Sequence, residues 1–133
     1  MTGIGIKELA FVGYPVTDFS VARKFYGETL GLKETVAFQH EGEIGWLEYD
    51  LAGQTLALAK ASDQWRPNPN GGGACLEVEN LERALAHLKA HQAKIIADIQ
   101  DFPMCRLALI ADPDGNTIAL HQRKENHPDF SKQ

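Results

Sequence analysis

The segment Asp50–Leu58 (DLAGQTLAL) returns 62 residues later as Asp112–Leu120 (DPDGNTIAL), with five of nine positions identical. The same offset aligns residues 16–22 (VTDFSVA) with residues 78–84 (VENLERA). An offset shared by two separate blocks indicates the duplication of one supersecondary unit. The fold should therefore be built from two copies of the same local structure.

Each copy shows the same order of structural signals. An apolar stretch typical of a strand comes first, at Leu9–Val12 and at Ala74–Val78. Asp18 or Asn80 then supplies a side chain that can cap the start of an amphipathic helix. Three β-prone runs follow each helix: Lys33–Phe38, Gly45–Asp50 and Gln54–Ala59, then Ile95–Gln100, Met104–Ala111 and Asn116–Gln122.

The order is therefore βαβββ, twice. It predicts an α+β fold in which two tandem units form a curved mixed sheet around a cleft. Residues 1–133 should form one domain, with unit one at about 7–61 and unit two at about 73–124. A linker rich in Pro and Gly occupies about 62–72, and a polar tail occupies 125–133.

Bulk properties exclude several classes of function. The net charge is −5 and no long basic stripe is present, which disfavours nucleic acid as a partner. No apolar run approaches the roughly 20 residues that cross a bilayer. The N-terminal residues lack a signal-peptide pattern, so we expect a cytoplasmic protein. The two cysteines form no Cys-x-x-Cys motif, and reduced thiols are expected.

Two motifs resemble those of a known superfamily. The first runs from Val16 to Leu32 as V-x-D-x-x-x-A-x-x-F-Y-x-x-x-L-G-L, and the second is Asp112–Asn116 (DPDGN). They are similar to signatures of the vicinal-oxygen-chelate superfamily of glyoxalases and bleomycin-resistance proteins. The resemblance covers about residues 7–124 and implies the paired βαβββ fold. Members include isomerases such as glyoxalase I, ring-cleaving dioxygenases and non-catalytic antibiotic-binding proteins.

Catalytic members of the superfamily hold a divalent metal through His, Gln or Glu on the first and last strand of each unit. The resemblance places those four positions at Phe11, Ala57, Gly73 and Ala119, and none of these side chains carries a donor atom. A one-residue shift would give Val12, Leu58, Ala74 and Leu120, which are equally inert. We therefore expect no metal and no cofactor, and interpret the four positions as part of a ligand-binding surface.

Strand alternation supplies further candidates for the cleft. If Ala119 faces the cleft, so do His121 and Arg123, and Gly73 brings Cys75 and Glu77 with it. The resemblance makes the first and last strands neighbours, which would bring Cys75 near His121 and Glu77 near Arg123. His121, Cys75 and Glu77 are the catalytic candidates, and Arg123 is a binding candidate.

The remaining wall of the cleft is less determined by the pattern. Trp46 is a binding candidate, and Glu48 with Met104 or Arg106 would complete the wall. Trp65, in the linker, is either a lid over the cleft or a surface aromatic.

Three functions remain open. The first is a metal-free protein that binds a small organic molecule, and the second is an enzyme that uses His121 as acid or base without a metal. The third is a glyoxalase-like lyase or isomerase, or a ring-cleaving dioxygenase, with relocated metal ligands. The resemblance also implies a homodimer.

Overall fold

The strand–helix–three-strand order occurs twice along the chain, as the sequence predicts. The computed structural model describes residues 3, 5, 7–70, 72–103 and 105–125. The first unit comprises β1 (Val12–Val16), α1 (Phe19–Arg23) continuing as a π-helix (Lys24–Thr29), β2 (Lys33–His40), β3 (Glu43–Leu51) and β4 (Gln54–Lys60). The second comprises β5 (Cys75–Glu77), α2 (Leu81–Ala90), β6 (Lys94–Asp101), β7 (Cys105–Ala111) and β8 (Thr117–Arg123).

The strands form two four-stranded mixed sheets, one in each unit, and the predicted α+β fold of two tandem units is confirmed. Their orders are β1-β4-β3-β2 and β5-β8-β7-β6, and only the first pair in each sheet is parallel. Gly13 lies opposite Ala57 in one sheet, and Cys75 lies opposite Ala119 in the other. The two pairs are 62 residues apart, so the sequence repeat is also a repeat of strand register.

Between these matching strands the repeat is interrupted twice, in opposite directions. The helix N-caps Asp18 and Asn80 are 62 residues apart, but the C-caps Leu30 and His91 are only 61 apart. The first helix holds five α-helical and six π-helical residues, whereas α2 holds ten. A π-helical turn accommodates the additional residue.

The β7–β8 turn restores the offset. Four residues separate the paired Asp50 and Thr55, whereas five separate the paired Ala111 and Thr117. The alignment of the sequence with itself is therefore gapless although the two structures differ by one residue over the intervening stretch.

The position of β1 differs from the prediction. The strand was expected at Leu9–Val12 because Gly13 and Pro15 were interpreted as boundaries, but it runs from Val12 to Val16 and Leu9 is 76% exposed. An edge strand tolerates proline, since its outer N–H groups need no partner in the sheet. β1 is such an edge strand, with β4 as its neighbour in the sheet.

One apolar core extends across both units. Each sheet buries alternate side chains against its own helix, as Leu47 and Tyr49 do beneath Tyr26, and as Ile110 and Ile118 do beneath α2. The buried residues of both units form a single cluster. The two helices and one face of each sheet therefore share one interior.

Buried hydrogen bonds join the units at the β7–β8 turn. The Tyr26 hydroxyl donates to Asp112 Oδ2 at 2.8 Å, and Asn116 Nδ2 donates to the same oxygen at 2.9 Å. Asn116 Nδ2 also donates to the carbonyl of Pro15 at 2.8 Å. These bonds satisfy polar groups that the core encloses, as burial requires.

Within the described residues, no helix is long and apolar enough to span a membrane. Met104, and the predicted polar tail beyond residue 125, lie outside the described residues.

Candidate functional site

Each sheet has a second face, directed away from its helix. In the first unit this helix-free face carries Gly13, Trp46, Glu48 and Ala57, because Gly13 and Glu48 both pair with Ala57 across neighbouring strands. Trp46 Nε1 donates to Glu48 Oε2 at 2.8 Å, as residues two apart on one face can. Trp46 and Glu48 thus share the face of Ala57, as the sequence analysis proposed.

Three aromatic side chains meet on this face around Gly13, and we call Phe11, Trp46 and Trp65 the aromatic cluster. The rings of Phe11 and Trp46 meet edge to face with centroids 5.2 Å apart. A Cβ on Gly13 would lie 3.0 Å from Trp65 Cη2 and 3.2 Å from Phe11 Cε2. Glycine therefore allows the Trp65 ring to lie directly on β1.

The aromatic cluster is incompletely covered. Phe11 is 43% exposed and Trp65 is 37% exposed. Phe38 pairs with Trp46 across β2 and β3 and is 60% exposed, which extends the same surface. Trp65 was an undecided residue in the sequence and is the main component that pattern reasoning missed. The contact of Trp65 with β1 depends on the path of the linker between β4 and β5, and no local sequence pattern predicted that path.

On the helix-free face of the second unit, Glu77, His121 and Arg123 form a polar trio. Glu77 Oε1 lies 2.6 Å from His121 Nδ1, and the backbone N–H of Arg123 donates to Glu77 Oε2 at 2.8 Å. The Arg123 guanidinium is 3.9 Å from Glu77 Oε1. Glu77 therefore joins both residues, whereas the sequence had paired Cys75 with His121.

The charge of Glu77 determines which ring nitrogen of His121 carries a proton. Burial alone would raise the pKa of Glu77, but the hydrogen bonds from His121 and from the Arg123 backbone outweigh it and hold this pKa below the usual value. At neutral pH the carboxylate can only accept hydrogen bonds. His121 Nδ1 must then carry the proton in this bond, whether the imidazole is neutral or charged.

Cys75 has a different environment. It pairs with Ala119 rather than His121. Burial, followed by the nearby Glu77, raises the pKa of its thiol. The thiol rather than the thiolate is then favoured at neutral pH, which weakens the argument for Cys75 as a nucleophile.

Gly73 lies at the junction between the units. The Tyr14 hydroxyl donates to the carbonyl of Thr117 at 2.9 Å and accepts a hydrogen bond from the N–H of Ala74. A Cβ on Gly73 would overlap both the Tyr14 hydroxyl and the Thr117 carbonyl oxygen. The absence of a side chain at Gly73 thus permits packing between the units.

Arg106 does not line the helix-free face. Its guanidinium donates to Glu82 on α2, and its backbone pairs with Gln122, so its side chain lies on the helical side of the second sheet. The suggestion that Arg106 completes the wall of the cleft is therefore wrong. Its parity had been ambiguous because the start of β7 was not fixed by the sequence.

The side chains present do not fit the divalent metal that catalytic relatives use. Phe11, Ala57, Gly73 and Ala119 offer no donor atom. Across the described part of the chain, no group of three His, Cys, Asp or Glu side chains is arranged to hold an ion. No chemical step is therefore assigned to a metal.

Comparison with known proteins defines the class. The paired βαβββ units, each with a helix on one face, are the architecture of a small-molecule-binding and enzymatic superfamily. The model of the Glyoxalase/Bleomycin resistance protein/Dioxygenase superfamily matches residues 8–120, and the chain belongs to this family.

Individual relatives are distant but cover nearly the whole chain. The uncharacterized protein YaeR of Escherichia coli strain K12 is 25% identical over 90% of this chain and 99% of its own. TnmS3, an antibiotic binding protein from Streptomyces sp. CB03234, is 25% identical with a TM-score of 0.75, over 92% of this chain and 100% of its own. A glyoxalase/bleomycin resistance protein from the same organism is 27% identical with a TM-score of 0.68, over 83% and 96%.

Proposed function

We propose that the protein binds a small organic molecule with a flat apolar part on the helix-free face, without a resident metal. The aromatic cluster is the observation that carries the proposal. The free energy falls when a ligand removes exposed aromatic rings from water. Such rings also favour stacked or edge-to-face contacts. The likeness to TnmS3, described as an antibiotic binding protein, supports a ligand of this kind.

The second unit would supply the polar anchors. Glu77, His121 and Arg123 present a carboxylate, an imidazole and a guanidinium on the face that carries Ala119. Sites for small molecules combine apolar walls with a few such groups. Ala57 is fully buried, whereas Ala119 is partly exposed, so its small side chain would leave room for the ligand beside the polar trio.

Intrinsic fluorescence tests this proposal directly, because the chain's two tryptophans are Trp46 and Trp65. We expect planar aromatic compounds in a screen to quench or shift the emission saturably and to raise the melting temperature. The variants Trp46→Phe and Trp65→Phe each leave one reporter and should both weaken binding. A screen in which no compound alters emission or melting, or a purified protein with stoichiometric metal, would contradict the proposal.

A second candidate function is metal-free acid–base catalysis at His121. The 2.6 Å contact with Glu77 favours it, since a carboxylate that orients an imidazole is a common device for proton transfer. In this scheme Glu77 is a positioning residue and His121 exchanges the proton. Turnover of a small carbonyl compound should fall by about 10²-fold or more in His121→Ala. Unchanged turnover in that variant would remove this candidate.

We further propose that the protein is a cytoplasmic homodimer. Cys75 and Cys105 are both free, which suits a reducing compartment. The second copy would cover exposed apolar surface outside the aromatic cluster, such as Phe38. Gel filtration with light scattering should show twice the mass of 14.7 kDa; a monomer at micromolar concentration would contradict the assembly.

A further inference from the structure

A cavity of about 400 Å³ lies on the helical side of the molecule, between the end of the π-helix and the start of α2. Its wall includes Leu30, Leu32, Leu51, Leu76 and Leu88. It contains no residue of the aromatic cluster, and its volume lies within the range typical of small-molecule sites. Glu77 of the polar trio also lines it, so the cavity adjoins the helix-free face at that residue, whereas its leucine wall is distinct.

The internal repeat shows that the fold does not require this leucine wall. A second cavity, of about 600 Å³, lies where the end of α2 meets the first helix and the β7–β8 turn. The helix C-caps Leu30 and His91 correspond, so Leu32 corresponds to Ala93. Both counterparts line the second cavity. The same backbone position thus accepts a polar and a small residue in one unit, but carries leucines in the other.

Incompletely buried leucines cost free energy when they face water. Leu30, Leu32, Leu51 and Leu76 are all half-buried. An apolar ligand that fills the cavity would remove their remaining surface from water, at roughly 25 cal/mol per Å². The leucine wall therefore suits a ligand with an aliphatic part.

The cavity mouth carries a cation without a partner. Arg83 lines the mouth, and its guanidinium makes no ion pair or side-chain hydrogen bond within the described chain. It lies in the first turn of α2, where the helix dipole also favours a negative charge. Glu77 and Glu79 add two carboxylates to the lining, which disfavours a multiply charged anion. His87 also lines the cavity, with Nε2 at 2.9 Å from the carbonyl of Thr29.

We propose that this cavity is a second binding site, for an amphipathic monocarboxylate such as a medium-chain fatty acid. The aliphatic chain lies against the leucine wall, and the carboxylate pairs with the Arg83 guanidinium. The site goes beyond the ligand proposed for the helix-free face and shares with it only Glu77.

Methyl-resolved NMR during titration with octanoate tests the proposal, with octanol as the uncharged control. Saturable shifts should centre on the methyl groups of Leu30, Leu32 and Leu51. The exposed substitution Arg83→Gln should weaken octanoate roughly two- to fivefold, as expected for a solvated ion pair, and leave octanol unchanged. Melting temperature verifies that each variant is folded.

The repeat provides the matched variant for the wall. Leu30→His with Leu32→Ala copies the residues of the second unit and should abolish saturable binding of both compounds. Three results would overturn the proposal: no saturable shift in the wild type, shifts that centre on the Ala57 and Ala119 methyls, or an equal effect of Arg83→Gln on octanoate and octanol. None of these bears on fluorescence quenching at the aromatic cluster.

Discussion

Two stacked, fully buried tyrosines allow a matched test of the hydrogen bonds at the junction. Tyr26 and Tyr49 are each 0% exposed, and their ring centroids are 6.0 Å apart. The Tyr26 hydroxyl donates to Asp112, whereas the Tyr49 hydroxyl has no hydrogen-bond partner in the described chain. Substitution by phenylalanine keeps both rings and removes only the hydroxyl, so the two variants should differ sharply.

Tyr26→Phe removes a hydrogen bond to a buried carboxylate, which costs about 1.5–3 kcal/mol of unfolding free energy. For a chain of 133 residues, about 4 °C of melting temperature corresponds to 1 kcal/mol, so we expect a fall of about 6–12 °C. Tyr49→Phe removes an unpaired buried hydroxyl and should be neutral or stabilising by up to about 1 kcal/mol. Urea unfolding of both variants measures the two values.

The same pair has a pH signature. Burial raises the pKa of Asp112 above its usual value, against the opposing hydrogen bonds from Asn116 and Tyr26. Removal of the Tyr26 hydroxyl raises that pKa further. The cost of Tyr26→Phe should therefore be smallest where Asp112 is protonated and grow as the pH rises through its folded pKa. Equal costs for the two variants at pH 7, or a cost for Tyr26→Phe that falls with rising pH, would refute the reasoning.

Two further predictions concern the junction and the polar trio. Gly73→Ala places a Cβ against the Tyr14 hydroxyl and should destabilise by about 1–3 kcal/mol in urea unfolding, whereas Gly72→Ala, with open space around it, should change stability little; equal effects would exclude the packing role. The pKa of Glu77 is depressed, so its contribution to stability is present at pH 7 and is lost as the pH falls below about 4.5 and through its folded value. The melting-temperature gap between wild type and Glu77→Gln should therefore close in acid, and a gap that widens there would show that the contact with His121 is not stabilising.

The fold was predictable because its signals are local and occur twice. Local sequence specifies the helix caps at Asp18 and Asn80 and the turn at Asp112–Asn116. Because the pattern occurs twice, the prediction for one unit supports the prediction for the other. The equivalence of Ala57 on β4 and Ala119 on β8 could also be inferred, because the two residues are 62 positions apart. The first strand was misplaced because the tolerance of Pro15 depends on β1 being an edge strand, which is a property of the sheet.

The site was predictable only in part, since its remaining features depend on contacts between distant residues. Alternation predicted that Glu77 follows Gly73 and that His121 follows Ala119 on the cleft face, but it left the face of Trp46 open, and the pairing of β3 with β4 decides it. The packing of Trp65 on Gly13 depends on the linker, where the backbones of Ser62 and Trp65 pair in a tight turn that the sequence analysis did not predict. The π-helix was hidden because a longer turn in the second unit cancels its extra residue.

The Tyr14 hydroxyl has a consequence for how this duplicated chain folds. Its counterpart in the second repeat is Leu76, so only one half offers this bond to the other. Neither half can satisfy its buried groups alone, and the two should unfold together as one cooperative unit. Two copies of the second half would lack this tyrosine, and two copies of the first would place Phe11 where Gly73 leaves room for the hydroxyl. The two halves therefore share their strand order and register, but the hydrogen bonds between them are not symmetric.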